Sequence, residues 1–187
     1  MVVTLVGALV SSCGLLEGEN EPKEPVMDIT MKEVAEKADV MLDATLAAFV
    51  PEVEWTHSAS ITGECNVIRN RTVMTIISEE RRGNFLGMTE RFWKKSGYEI
   101  TSVNPDKRHP AIFALSPEGL SIRLTIGDKG QAFFEVRTPC VKPSDVPPPA
   151  SDSNGEDYSH NGAPYPNVRS DFWSAGGPAV PAPSPST

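Results

Sequence analysis

Histidine, serine, carboxylate and arginine side chains are where this chain could do chemistry, and their spacing excludes most of it. His57, His109 and His160 stand far apart. No two of them fall at the helical or hairpin spacing that ligation needs, so no metal site is expected. His57 lies on the apolar side of an alternating segment, residues 55–62, and reads as a packed histidine. A nucleophilic serine would need a base on its own side. Ser60 and His57 are three apart in that segment, which sends them to opposite faces of a strand. No Gly-x-Ser-x-Gly elbow and no Gly-rich phosphate loop occurs. Glu79 and Glu80 are neighbouring carboxylates at a strand end, where water solvates both. The best local candidate is Arg81-Arg82-Gly83-Asn84. Two guanidinium groups beside a helix N-terminus would form an anion site, because unpaired backbone N–H groups and the helix dipole favour negative charge. The plainer alternative pairs Arg81 and Arg82 with Glu79, Glu80 or Glu90 on the surface. Asp106-Lys107-Arg108-His109 reads as a solvated mixed-charge loop. No cofactor is expected.

Cysteine carries the remaining chemistry. Cys13 comes after an apolar run, residues 2–10, and two small residues, Ser11 and Ser12. The run is far shorter than the ~20 residues that span a bilayer as a helix. It matches the apolar core of a signal peptide, but no Lys or Arg precedes it. A buried N-terminal strand or a plain cleaved signal would also be apolar. The strand reading sits badly with the neighbouring segment, because residues 17–25 are charged and contain Pro22 and Pro25. Val10-Ser11-Ser12-Cys13 resembles the lipobox of bacterial lipoproteins, with Val where Leu is commonest. The resemblance implies diacylglyceryl attachment at Cys13 after removal of residues 1–12 by the lipoprotein peptidase. It places the chain at the cell membrane, lipid-anchored, on the extracytoplasmic face. The overall layout, with Thr138-Pro139-Cys140-Val141 after the last strand, is similar to small cysteine-pair lipoproteins of actinobacteria, including the LppA-like group.

The chain has three cysteines, an odd count. Giving Cys13 to a lipid leaves Cys65 and Cys140, which would oxidise to a disulfide outside the cytoplasm. The alternative is a pair of buried thiols in a cytosolic protein.

Charge excludes another class. The net charge is −8, and a nucleic-acid binder normally shows a basic face. Residues 143–187 hold five acids against Arg169 alone, so part of the acidity belongs to the flanks.

The elements are set by periodicity. Thr30 and Glu33 fit a capping box. Val34, Ala38, Met41, Thr45 and Ala48 then recur at helical spacing, widened by Leu42 and Phe49. A helix is expected over residues 31–50, stopped by Pro51. Residues 55–62 alternate as a half-buried strand, with a β-branched partner strand over residues 71–78. Phe85, Met88 and Phe92 place a second helix at about residues 84–95. Strands are expected over residues 98–103, 111–115, 120–126 and 131–137. Short turns between consecutive strands require antiparallel pairing. The expectation is an α+β two-layer sandwich in the order α-β-β-α-β-β-β-β, with both helices on one sheet face and polar Thr and Ser on the open face.

The domain layout is then a signal peptide over 1–12, an acylated Cys and linker over 13–27, one α+β domain over 28–142, and a disordered tail over 143–187. The tail is expected to be disordered because it is rich in Pro, Ser and Gly and poor in apolar surface. Tyr158, Tyr165, Phe172 and Trp173 are exceptions that could hold a partner or a wall polymer.

These readings converge on a lipid-anchored, non-enzymatic binding or interaction module whose partner is an envelope protein or wall polymer, with the open sheet face as the first surface to probe. Its alternatives are an envelope enzyme whose site assembles only in the fold, around His57, Glu79 and Arg81, and a structural envelope protein. Oligomeric state is not legible.

Overall fold

Thr30 starts the first helix as its spacing requires. The Thr30 N–H donates to Glu33 Oε2 at 2.8 Å, and the Glu33 N–H donates back to Thr30 Oγ1 at 3.3 Å. The computed structural model describes residues 27–127, 129–156 and 164–176. Along them run β1 (Met27–Thr30), α1 (Met31–Ala47), β2 (Trp55–Thr62), β3 (Val67–Val73), α2 (Glu79–Lys95), β4 (Glu99–Asn104), β5 (Ala111–Leu115), β6 (Ser121–Ile126), β7 (Ala132–Arg137) and β8 (Val141–Lys142). The fold is the expected α+β sandwich. Six antiparallel strands form one sheet in the order β2-β3-β7-β6-β5-β4, and β1 pairs in parallel with β8. The β2–β3 hairpin joins the β4–β7 meander through the β3–β7 pair, a contact between segments distant in sequence.

Both helices bury their apolar stripes against one sheet face. Val34, Ala35, Ala38 and Leu42 of α1 and Phe85 and Trp93 of α2 share a core with Val67, Val73, Ile122, Leu124, Phe134 and Val136. Phe85 stacks on Phe49 with ring centroids 4.1 Å apart. Trp93 Nε1 donates to Thr45 Oγ1 at 3.1 Å, so the polar atom of a buried indole is satisfied and the two helices are tied together.

Besides the added β1–β8 pair, the structure differs from the sequence reading in four places. Helix α1 ends at Ala47, because Val50 precedes Pro51 and a residue before proline is pushed out of helical backbone. Helix α2 begins at Glu79, not near residue 84. Its first turn holds Glu79 and Glu80, and its last holds Lys94 and Lys95, both matched to the dipole. The second strand spans Val67–Val73, not residues 71–78. Arg69 and Arg71 are strand residues, because Asp39 and Asp43 of α1 neutralise them.

The fourth difference is the tail. Residues 143–156 and 164–176, expected to be disordered, lie against the domain. Trp173 is 0% exposed, set edge-on against Phe49 and Phe85, and its Nε1 donates to Pro51 O at 2.7 Å. Val168 makes a parallel bridge with Thr75. The composition argument failed because one indole and a run of backbone hydrogen bonds offset the ordering entropy that few apolar residues could not.

The Cys65–Cys140 disulfide is present, with Cα atoms 4.8 Å apart. It joins the β2–β3 turn to the start of β8, and Val141 N–H donates to Cys65 O at 2.7 Å. No helix among the described residues is long and apolar enough to cross a membrane.

Candidate functional site

Helix α1 turns one face to the core and leaves its opposite face over a groove of about 730 Å³. Ile29 of β1 lines it. Glu33, Glu36, Lys37, Val40 and Met41 of α1 form one wall. Ser96 and Tyr98, after α2, and Ser116, Pro117 and Glu118 of the β5–β6 turn form the other. The helix period explains this composition. Met41 packs inward, whereas Val40 projects outward and is 68% exposed. Lys37 Nζ reaches across the groove to Glu118 Oε1 at 3.0 Å. Burial, and then the Glu118 charge, raise the pKa of Tyr98, so its phenol stays neutral. The Glu33 carboxylate is held ionised by its bonds to the Thr30 backbone and side chain. The groove therefore has an apolar floor and a charged rim.

A second polar assembly lies beneath α1. Asp39 Oδ2 is 3.2 Å from Arg69 Nε, and Asp39 Oδ1 is 2.8 Å from an Arg71 terminal nitrogen. Arg71 also reaches Asp43 at 3.3 Å. Both arginines are buried. Arg69 donates further to Ser60 Oγ at 2.8 Å and Pro147 O at 2.6 Å. Arg71 lies 5.3 Å from the Trp55 ring centre. Two cations face two anions, so the assembly has no net charge to offer a ligand. It pins α1 and the tail onto β3. Sequence reasoning missed it because its members come from α1, β3 and residue 147. A faint signal existed: Asp39 and Asp43 stand four apart on α1, and Arg69 and Arg71 two apart on β3.

His57 sits beside this network, opposite Arg71 in the β2–β3 ladder. Its Nε2 is 2.7 Å from Ser151 O, and that N–H donates because a carbonyl only accepts. Its ring meets Trp55 edge-on at 5.2 Å. Burial first, and the Arg71 charge second, lower its pKa.

The two arginines of the candidate anion site go to separate partners. Arg82 is buried within the second turn of α2, and its guanidinium donates to Arg108 O at 2.9 Å and Lys107 O at 3.3 Å. It also forms an ion pair with Glu79, at 3.9 Å. Arg81 stacks over Phe172 at 4.3 Å. The helix step between adjacent residues separates them. A hollow of about 330 Å³ beside Glu79 and Arg82 opens onto the loop through Pro105–Pro110. Among the described residues, no hydrogen bond or ion pair joins His57 to Glu79 or Arg81.

On the open sheet face, Arg123 pairs with Glu135 across strands at 2.5 Å, and Ser58 and Thr72 share a hydrogen bond at 2.6 Å. A shallow hollow of about 270 Å³ lies near Thr101 and Phe113. Of the tail aromatics, Phe172 and Trp173 are packed, and Tyr165 is 62% exposed. Cys13, Tyr158 and His160 lie outside the described residues. No group of three or more His, Cys, Asp or Glu able to hold a metal ion occurs among the described residues.

No family model matches the chain, and no curated protein matches it. Among solved structures it is similar to a DUF4853 family protein from Actinomyces odontolyticus, with 12% identity, 78% of this chain and 82% of that chain covered, and a TM-score of 0.42.

Proposed function

We propose that this chain is a non-enzymatic binding module, held by a lipid on Cys13 to the outer face of the cytoplasmic membrane. The observation that carries the binding part is the groove beside α1: an apolar floor, an exposed Val40 and charged walls on rigid elements. Ligand sites are typically concave and mostly apolar, with a few placed polar groups. The apolar run before Cys13 and its lipobox-like residues support the anchor. The Cys65–Cys140 disulfide supports an oxidising compartment. The groove borders β1, whose first residue is separated from Cys13 by a spacer that extends to at most about 50 Å. An occupant would thus be held close to the bilayer.

The test uses the full chain in its native membrane. Mass spectrometry should find a mature N-terminus at Cys13 carrying diacylglycerol, and Cys13→Ser should release the protein from membranes. A photo-crosslinking residue at position 40 should give a discrete adduct, and one at position 125 on the open face should give none. Retention of residues 1–12 would remove the anchor from this reading. Equal labelling from positions 40 and 125 would remove the groove.

A further inference from the structure

The charge on the groove's rim and the apolar nature of its floor together narrow the occupant. We propose that it is a short peptide segment of a partner protein that carries apolar side chains together with lysine or arginine. This inference rests on the groove being the binding surface, as proposed above.

Three carboxylates line the groove, Glu33, Glu36 and Glu118, against one ammonium, Lys37. The rim therefore carries a net charge of −2. Glu36 has no ion-pair partner among the described residues. Lys37 is committed to Glu118, but both are about half exposed, at 45% and 53%. An exposed pair of this kind is weak and readily exchanged. An incoming cation can bond Glu36 directly and take Glu118 from Lys37. Between these charges lie Val40 and the ring of Tyr98. They offer an apolar seat, and Tyr98 a neutral aromatic face that also attracts a cation. A purely apolar occupant would leave Glu36 desolvated and unpaired, which is costly. An acidic one would meet like charge.

Charge also rules against the chain's own spacer. Residues 17–24 hold Glu17, Glu19, Glu21 and Glu24 against Lys23, the same sign as the rim. The described parts of the tail are seated elsewhere, around Trp55, Thr75 and Phe49. Residues 1–16, 157–163 and 177–187 contain no Lys or Arg, so a basic occupant is another molecule.

Fluorescence anisotropy on the full chain tests this with four labelled pentapeptides: alternating Lys-Leu, Glu-Leu, Lys-Ser and Ser-Leu. The Lys-Leu peptide should bind roughly tenfold tighter than each of the others. Its affinity should fall as salt rises from about 0.05 to about 0.5 M. Lys37→Met removes the competing ammonium and should tighten binding about threefold, whereas Glu36→Lys should weaken it about tenfold. Val40→Asp should weaken it to a similar extent. All three positions are exposed enough that melting temperature should not move, which separates lost binding from lost folding.

Equal binding of the Ser-Leu peptide would overturn the charge requirement, and equal binding of the Lys-Ser peptide the apolar one. A self-association abolished by Glu36→Lys would make a second copy the occupant and overturn the proposal. If no peptide binds while position 40 still crosslinks a single adduct, this inference fails and the groove reading stands. If both are absent, the groove reading fails too.

Discussion

Asp39, Arg69 and Arg71 put charge into a helix–sheet contact that would otherwise be apolar. With Asp43 their network is balanced, and removing one of the buried members would strand the others, at a cost of about 3–5 kcal/mol. His57 stands next to it and responds to pH. In the fold it is neutral, donating from Nε2 to Ser151 O, with Arg71 beside it and Asp39 and Asp43 acting more weakly in the opposite sense. Its folded pKa lies below the ordinary histidine value of 6.5, so the unfolded chain binds the proton more readily. The contribution to stability is full above that value and is lost as pH falls towards the folded pKa. Urea midpoints should therefore drop between about pH 7 and about pH 5, and His57→Gln should flatten that drop. The carboxylates whose pKa values are lowered, Asp28, Glu33 and Asp106, act only in more acidic solution and leave this window clean. An identical pH slope in the variant would show that another group is responsible.

Among the elements, the segment 164–176 changes the picture of the molecule most. It behaves as part of the domain: Val168 extends the strip after β3 by backbone pairing, and Trp173 packs edge-on against Phe49 and Phe85 within the core. Phe49 is placed to receive it because α1 stops before Pro51, which turns Phe49 inward and presents the Pro51 carbonyl to the indole. Trp173→Ala should cost about 3–5 kcal/mol, as large-to-small changes in packed cores do. Trp173→Phe should cost less, leaving the Pro51 carbonyl without its donor. Equilibrium urea unfolding measures both. A midpoint unchanged in Trp173→Ala would mean the segment is a passive appendage.

At the scale of the whole molecule, the disulfide ties the β2–β3 hairpin to the segment that meets β1. Cys65 sits at the β2–β3 turn, and Cys140 immediately precedes β8, which pairs with β1 where the chain first joins the fold. Lys142 and Asp28 add an ion pair across that junction. A pull on the N-terminal segment thus reaches β8 and then the crosslink. The cysteines are 75 residues apart, and closing a loop of that length in the unfolded chain is worth about 4 kcal/mol in the chain-entropy account. The Cys65→Ser/Cys140→Ser variant should unfold at correspondingly lower temperature in calorimetry. Reductant should lower the melting temperature of the parent and leave that of the variant unchanged. Equal melting of the parent with and without reductant would mean the crosslink closes little in solution.

The elements that periodicity controls were legible in the sequence itself. The helix cap at Thr30, the alternation of residues 55–62 and strands β5, β6 and β7 need only neighbours a few residues away to declare themselves. The pairing of Cys65 with Cys140 was read from an odd count and a third cysteine placed behind an apolar run. What the chain could not declare was which distant groups would meet. Arg69 and Asn70 read as a connection until Asp39, on another element, made the Arg69 charge tolerable in a buried strand. A Pro- and Ser-rich tail read as disordered until Phe49 and Phe85 supplied a socket for one indole. The groove has no sequence signature, since Val40, Tyr98 and Glu118 acquire a common purpose only when α1, the end of α2 and the β5–β6 turn come together. Local order arises from short-range sterics and backbone hydrogen bonding. A binding surface depends on long-range contacts, whose partners only the folded chain selects.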